Sequence, residues 1–386
     1  MANVVKTLRD EQNEVARGIA PLLKMRSPYS VYAPYENMEY EIAKPTVLCI
    51  APDIERFSMQ GRFAASDMFI LKAIDCLGYC SATSARNLLR YFHKCDMADA
   101  AANKRPPLNI PNAEDANEFS ERLLYLCKKG LVVRHRFLPN TDWSNESAPD
   151  ENGNNKKGYR YFYHLTGIAA GMYKAKLQDK KIAYNPAIQY LPEVEVFRQV
   201  SASILVGALI RCPYLVDAKF QFKKGVQNGY KRDSIPLYAV LKVNPDGIKG
   251  PESQTTRLII ESLTLNVNQH IQTAQSRKEW MHTRIKELSA IRREYQKDGM
   301  VKILLVAEDL TTLSMIRNEV FSVDATMVGD MMFTTGAVLE KFRVMEHPEA
   351  LRKSFIEFPI VGAGPDSRPR GAVGYYFLKF GEDFVI

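Results

Sequence analysis

Residues 120–132 read SERLLYLCKKGLV, which is the clearest structural signal in the chain. Apolar residues recur in it at helical spacing as far as Cys127. Gly130 is the residue type that most often follows the end of a helix, and residues 131–138, LVVRHRFL, have the composition of a strand. The stretch therefore predicts a helix that passes into a β-strand through a single glycine.

The sequence around this stretch predicts further helices and one hairpin. Upstream, Ser66 and Asp67 can cap a helix that ends before Gly78, and Ser81 begins a second amphipathic helix. Downstream, a loop rich in Asn, Asp, Ser and Gly separates the first strand from a return strand at 159–165, and a helix at 168–177 follows. Three helices, a hairpin with a long tip and a helix are the order of a winged-helix domain. We assign this domain to residues 61–185, after an N-terminal extension at 1–60.

From residue 193 to residue 386 the pattern changes to an α/β domain. It predicts a helix, three strands, a long helix and a buried strand in that order. The predicted segments are 194–210, 216–222, 235–243, 256–265, 269–297 and 300–307. A basic, glycine-containing turn is expected at 223–232, and the fold class is α+β.

Composition limits the class of protein. The 386 residues are 46% hydrophobic, which is enough for a sizeable core and excludes a wholly disordered chain. No apolar run approaches the roughly 18 residues of a membrane span, and residues 1–10 lack the apolar core of a signal peptide. We expect a cytoplasmic protein with no membrane contact. The six cysteines form no CxxC pair, so reduced thiols and no metal or cofactor are expected.

Basic residues concentrate at the predicted hairpin. The 52 lysines and arginines exceed the 44 acidic residues by eight, a modest excess that suits contact with a polyanion. Cations around the end of the third helix and on both hairpin strands could hold phosphates of double-stranded DNA. The predicted nucleic-acid-binding residues are Lys128, Lys129, Arg134, Arg136, Lys156, Lys157 and Arg160.

Two features of the same region leave alternatives open. Tyr159, Tyr161 and Tyr163 share one face of the return strand, which fits either cross-strand packing or base stacking. The third helix begins with acidic residues, which suit a helix N-terminus but oppose docking into the major groove. These residues are Glu114, Asp115, Glu118 and Glu121. Binding led by the hairpin or by a protein partner therefore competes with binding led by the helix.

The first half of the chain resembles the replication-relaxation family of bacterial plasmids and integrative elements. The resemblance rests on the helix opening with Asp67 before the helix at Ser81, on residues 120–132, and on the run YFYHLTGIA at 161–169. It covers about 110 residues. It implies a DNA-binding winged helix followed by a domain similar to restriction-endonuclease-like nucleases, encoded beside genes for conjugal DNA processing.

A nuclease site of that type would need an Asp on the second strand and Glu-x-Lys on the third, to hold Mg²⁺ and steady the attacking water. The catalytic candidates are Asp233 and Glu261, but Leu263 occupies the lysine position. Lys242 on the second strand could supply the missing ammonium. A buried Glu261 could equally form an ion pair within the fold. The resemblance therefore implies a degenerate nuclease-like domain.

The long helix at 269–297 carries a second group of basic residues. It either presents a solvated amphipathic face or adds a second nucleic-acid patch. The group consists of Arg277, Lys278, Arg284, Lys286, Arg292, Arg293 and Lys297.

The leading hypothesis is a non-enzymatic DNA-binding accessory or regulatory protein of a bacterial mobile genetic element. It would act in plasmid replication, mobilisation or transcription control, with a relaxase-type protein partner or as a homodimer. The first alternative is a scaffold or an inhibitor of a host complex. The second alternative is a Mg²⁺-dependent nuclease that uses Asp233 and Glu261.

Overall fold

A computed structural model describes two units of the chain, one ending at Arg211 and the other beginning at Cys212. Helices and strands are mixed in both units, in agreement with the predicted α+β class. The described residues are 65–108, 110–137, 160–166, 169, 193–212, 214–228, 231–244, 255–263, 274–307, 310–341, 343–345, 347, 351, 355–357 and 376–377. The predicted extension at 1–60 and the predicted helix at 168–177, apart from residue 169, lie outside them.

The first unit contains four described helices and one hairpin. The elements are α1 (Ala65–Leu77), α2 (Ala82–Ala102), α3 (Ala116–Lys128), β1 (Val132–Phe137), β2 (Arg160–Leu165) and α4 (Glu193–Leu209). The sequence predicts that the second helix gives way to a polar, proline-containing insertion at about 96–111, but the helix continues to Ala102. Asp96 accepts hydrogen bonds from Arg105 and from the Leu108 amide, which ties the following loop back to the helix.

The passage from α3 to β1 is as predicted. Gly130 has φ +70°, which lets the chain turn out of the helix, and the Leu131 amide donates to the Leu126 carbonyl over 3.1 Å. β1 and β2 are antiparallel, and Arg134 lies opposite Tyr163. Tyr163 also exchanges two backbone hydrogen bonds with Cys80, so the hairpin is anchored to the chain between α1 and α2.

Helix α4 packs against α2 within the first unit. Asn87 donates from Nδ2 to the Gly207 carbonyl over 2.8 Å, and the Tyr79 amide donates to Gln199 over 3.2 Å. A Cβ at Gly207 would lie 2.9 Å from the Ser84 Cα, so only glycine permits this approach. The predicted boundary near residue 193 therefore differs from the structure, which divides the chain after the helix. The sequence contains no local mark of this contact, because its partner lies about 120 residues away.

The second unit is built on one seven-stranded sheet. Three antiparallel strands lead into two parallel strands, and two short antiparallel strands complete the order β3-β4-β5-β6-β7-β8-β9. The strands are β3 (Leu215–Asn228), β4 (Lys231–Val243), β5 (Thr256–Leu263), β6 (Met300–Ala307), β7 (Met331–Thr335), β8 (Ile356–Glu357) and β9 (Tyr376–Phe377). The helices are α5 (Ala274–Gln296), α6 (Leu310–Asp324) and α7 (Gly336–Lys341).

One face of this sheet packs on α5 and α6. The core joins Ile259 and Leu263 of β5 to Ile285 and Leu288 of α5, all of them fully buried. Burying this apolar face is what holds the helices on the sheet. Among the described helices, none has the length and apolar character needed to cross a membrane.

Two segments differ from the predicted secondary structure. The basic turn expected at 223–232 is mostly strand, because β3 and β4 pair as far as Asn228 and Lys231. The sequence of residues 325–334 predicts one strand, but the structure forms a 3-10 helix, Ala325–Asp330, followed by β7. The 3-10 helix begins where the Asp324 carboxylate accepts from the Thr326 amide.

Candidate nucleic-acid interface

The end of α3 and the start of the hairpin bring together three of the predicted basic residues. Lys128 is exposed, Lys129 is half-buried at the end of the helix, and Arg134 follows on β1. Arg136 lies opposite Tyr161 in the hairpin register, and Arg160 lies opposite Phe137. Lys156 and Lys157 lie outside the described residues.

Arg134 is held in place by an aromatic ring. Its guanidinium lies 4.8 Å from the centre of the Tyr161 ring, which is cation–π distance. In the part of the chain that the structure describes, neither Arg134 nor Lys128 forms an ion pair, and the Nε atom of Arg134 has no hydrogen-bond acceptor. The positive charges of these two side chains therefore remain available to an anion.

The tyrosines of the return strand serve two different purposes. Tyr163 is 7% exposed, and burial raises its pKa well above the ordinary value of 10. Tyr161 is half-buried, and Arg134 stacks on it. Packing therefore accounts for Tyr163, whereas Tyr161 positions the cation. Tyr159 lies outside the described residues.

Helix α3 presents a polar face that the sequence analysis did not single out. Phe119, Leu123 and Leu126 are buried on one side, and the opposite side is exposed. The exposed residues on that side are Asn117, Ser120, Glu121, Leu124 and Lys128. These residues are spaced three or four apart and lie between the buried positions. That helical spacing in the sequence is enough to predict an exposed face opposite the buried one.

The acidic start of α3 has a local cause. Asp115 is the N-cap, and its carboxylate accepts from the amides of Asn117 at 2.7 Å and Glu118 at 3.2 Å. Such a carboxylate satisfies amides that have no partner within the helix and suits the positive end of the helix dipole. One member of the acidic cluster, Asp115, is therefore a residue that the helix needs.

A buried ion pair fixes α3 on α1. The Asp67 carboxylate is fully buried and accepts two hydrogen bonds from the Arg122 guanidinium. The hydrogen bond that Arg122 donates to Asp67 raises the pKa of Arg122, whose guanidinium also lies 4.5 Å from the Tyr125 ring. The bidentate geometry sets the orientation of the helix on which the basic end depends.

The catalytic candidate Glu261 in the second unit also lies in an ion pair. It sits on β5 facing α5, and its carboxylate accepts from Arg284. Arg284 also donates to the Pro236 carbonyl at 2.9 Å and to Glu287 at 2.6 Å. Burial lowers the pKa of Arg284, but the two carboxylates outweigh it and raise the pKa above its usual value.

The structure does not bring Asp233 and Glu261 together. Ala239 lies opposite Ile260, so the residue opposite Glu261 is about five positions from Asp233. At a rise of about 3.3 Å per residue, the two carboxylates are separated by about 17 Å along the strands. Asp233 is exposed at the start of β4, opposite Val226.

Neither position expected to supply a lysine places one beside Glu261. Lys242 lies opposite Arg257, four residues before Glu261 on β5, and the fully buried Leu263 occupies the expected lysine position. Within the described ranges, no group of three or more His, Cys, Asp or Glu side chains could hold a metal ion. The geometry thus makes Glu261 part of a structural ion pair.

Three arginines on α5, namely Arg284, Arg292 and Arg293, contact other elements of the second unit. Arg292 donates to Asp330 over 2.6 Å, and Arg293 donates to Asp324 over 2.9 Å. Asp324 is partly desolvated, but hydrogen bonds from Ser289, Thr326 and Arg293 hold its pKa well below the ordinary value. Arg292 and Arg293 fasten α5 to the end of α6, which weakens the interpretation of the helix as a second nucleic-acid patch.

No protein-family model, curated protein or solved structure matches the chain. Function is therefore inferred from the chemistry of the residues above.

Proposed function

We propose that the first unit binds double-stranded DNA through α3 and the β1–β2 hairpin. The observation that supports this most directly is the pair of cations at the junction, Lys128 and Arg134, which no described carboxylate neutralises. Phosphate contacts of this kind provide most of the affinity of DNA-binding proteins and orient them on the duplex.

The arrangement of the elements suits this role if the unit is a winged helix. In such a domain α3 would enter the major groove while the hairpin contacts the flanking backbone. The exposed face of α3 offers an amide at Asn117, a hydroxyl at Ser120 and an ammonium at Lys128. Asparagine and serine are side chains that can read base edges, and lysine suits either a base or a phosphate.

We propose that the second unit is a platform without nuclease activity. Its order of helix, three strands, helix and strand is compatible with a restriction-endonuclease-like core. A cleaving site needs two carboxylates at one metal ion, whereas Glu261 is bound by Arg284 and Asp233 lies at the far end of β4. From the resemblance to the replication-relaxation family we further propose that the protein is an accessory or regulatory protein of a mobile genetic element. Its partner would be a relaxase-type protein or a second copy of itself.

DNA binding by purified variants tests the proposal. Fluorescence anisotropy with a labelled duplex would compare the wild type with Lys128→Gln, Lys129→Gln and Arg134→Gln combined. Each lost phosphate contact weakens binding, so we expect the dissociation constant to rise by at least about tenfold. The same samples with Mg²⁺ should leave a supercoiled plasmid uncut.

The matched control changes three exposed lysines elsewhere to glutamine, namely Lys94 on α2, and Lys278 and Lys286 on α5. It makes the same change in net charge, so its affinity should stay within about twofold of the wild type if binding is local. Equal losses in both variants would mean that the interface is not at the α3–hairpin junction. Metal-dependent cutting that Glu261→Gln abolishes would overturn the platform role.

A further inference from the structure

A groove of about 600 Å³ opens in the first unit beside the start of α3. Ile70 of α1, Leu89 of α2 and Phe119 of α3 form its buried floor, and the partly exposed Pro111, Ala113 and Tyr125 supply the apolar surface that solvent reaches. The groove is therefore a place where an apolar side chain can be removed from water on a preformed surface.

The rim of the groove is acidic. Four carboxylate residues line it, namely Glu114, Asp115, Glu118 and Glu121. Among the described residues that line it, the one cation is Arg122, whose charge is balanced by the buried carboxylate of Asp67. The rim therefore repels phosphates and attracts cations.

Folding alone accounts for only part of this charge. Asp115 caps the helix, and Glu118 lies in its first turn, where negative charge is favourable. Glu114 precedes the helix and Glu121 lies beyond the first turn, and both side chains are exposed. Their positions on the rim extend the negative field along the groove.

We propose that this groove binds a segment of a partner protein in which an apolar side chain is flanked by lysine or arginine. The apolar side chain would pack against the apolar lining of the groove, and the flanking cations would face the four carboxylates. The groove extends from the first turn of α3 to Tyr125, whose ring centre lies 5.5 Å from the Lys129 ammonium, so it adjoins the basic junction. Its rim residue Glu121 also lies on the exposed face of α3, so the two proposed contacts share part of that helix.

The probe is a labelled peptide with two leucines between pairs of lysines in a serine and glycine background. Two further peptides, one with serine in place of leucine and one with glutamate in place of lysine, separate the two parts of the interaction. Anisotropy titrations of the full chain should show saturable binding of the first peptide, and both others should bind about tenfold more weakly or not at all.

Two variants act on the groove without removing a core side chain. The first variant, Glu118→Lys with Glu121→Lys, cancels the negative charge of the four rim carboxylates. The second, Asn112→Trp, places a large ring among the lining residues, because Asn112 is exposed there. Each variant should raise the dissociation constant of the leucine–lysine peptide by about tenfold. The matched control changes Glu279 and Asp298, which are exposed in the second unit, to lysine. It should change the affinity for the leucine–lysine peptide by less than twofold.

Three results would overturn the proposal: no binding of the leucine–lysine peptide to the wild type, equal affinity for the glutamate peptide, or equal affinity in the wild type and both groove variants. A loss of leucine–lysine peptide binding in both groove variants, with binding unchanged in the control, would support it.

Discussion

The carboxylate of Glu261 on β5 accepts a hydrogen bond from the guanidinium of Arg284 on α5, in the core between the sheet and the helix. Both side chains are 11% exposed. An acidic residue inside an apolar strand can belong to a catalytic site or to an ion pair, and here its partner is an arginine on the long helix that packs on the strand. The pair joins the strand and the helix that the proposed platform role requires.

Removing one member of this pair should destabilise the second unit. Arg284→Met leaves the Glu261 carboxylate without its guanidinium, and breaking a buried pair in this way costs about 3 kcal/mol. We expect urea unfolding to show a lower free energy of unfolding by that amount. Lys286→Met, on an exposed position of the same helix, should change it by less than about 0.5 kcal/mol.

The double variant separates an ion pair from simple packing. Glu261→Leu combined with Arg284→Met removes both charges, so it should recover most of the loss of the single variant. A double variant that is less stable than Arg284→Met alone would contradict the structural role given to the pair.

The close contact between α4 and α2 predicts that adding one methyl group at Gly207 destabilises the first unit. In Gly207→Ala the new Cβ would lie 2.9 Å from the Ser84 Cα, and overpacking of this kind costs about 1–3 kcal/mol. Hydrogen exchange should become faster in peptides from α2 and α4 and stay unchanged in peptides from β5. Gly329→Ala is the control, because nothing lies within 4 Å of the added Cβ. Faster exchange in β5 rather than α2 would assign α4 to the second unit.

His164 predicts a loss of stability in acid. Burial lowers its pKa to about 4 in the folded state, against an ordinary value of 6.5. The unfolded chain takes up the proton below pH 6.5 and the folded chain does not, so stability is lost as the pH falls from about 6.5 toward 4. Between pH 7 and 4.5 the loss from this residue is about 2 kcal/mol.

A variant without the imidazole isolates this contribution. His164→Asn should lower stability at pH 7 but show a decline between pH 7 and 4.5 that is smaller than the wild-type decline by about 2 kcal/mol. His347→Gln, which changes an exposed histidine, should decline as the wild type does. Parallel declines in His164→Asn and the wild type would show that the histidine is not buried as described.

The sequence was sufficient for elements whose signals are local. Gly130 and the apolar spacing of residues 119–126 predict the end of α3 and its buried face, because a helix terminus and a 3.6-residue period depend on near neighbours. The same reasoning predicts β5 and β6 as buried strands. The paired hairpin strands at 223–232 were missed, since their glycine and lysines favour a turn in isolation while the long β3–β4 register keeps them extended.

Pairings between distant residues could not be predicted. Arg284 and Arg292 looked like members of a solvated or nucleic-acid-binding face, because nothing in their own helix shows that Glu261 and Asp330 lie opposite them. The exposed acids of α3 were visible, but the apolar floor beneath them needed Ile70 and Leu89 to be brought from two other helices. Sites assembled from separate elements depend on tertiary structure.

The salt dependence of duplex binding tests the central claim most directly. A plot of the logarithm of the association constant against the logarithm of salt concentration has a slope of about −0.9 for each phosphate contacted. We predict a steep wild-type slope that becomes shallower by up to about 2.7 when Lys128, Lys129 and Arg134 are all changed to glutamine. The slope should be unchanged in the control lacking Lys94, Lys278 and Lys286. Binding that is absent or independent of salt, or a slope that the three junction substitutions leave unchanged, would contradict DNA binding at this surface.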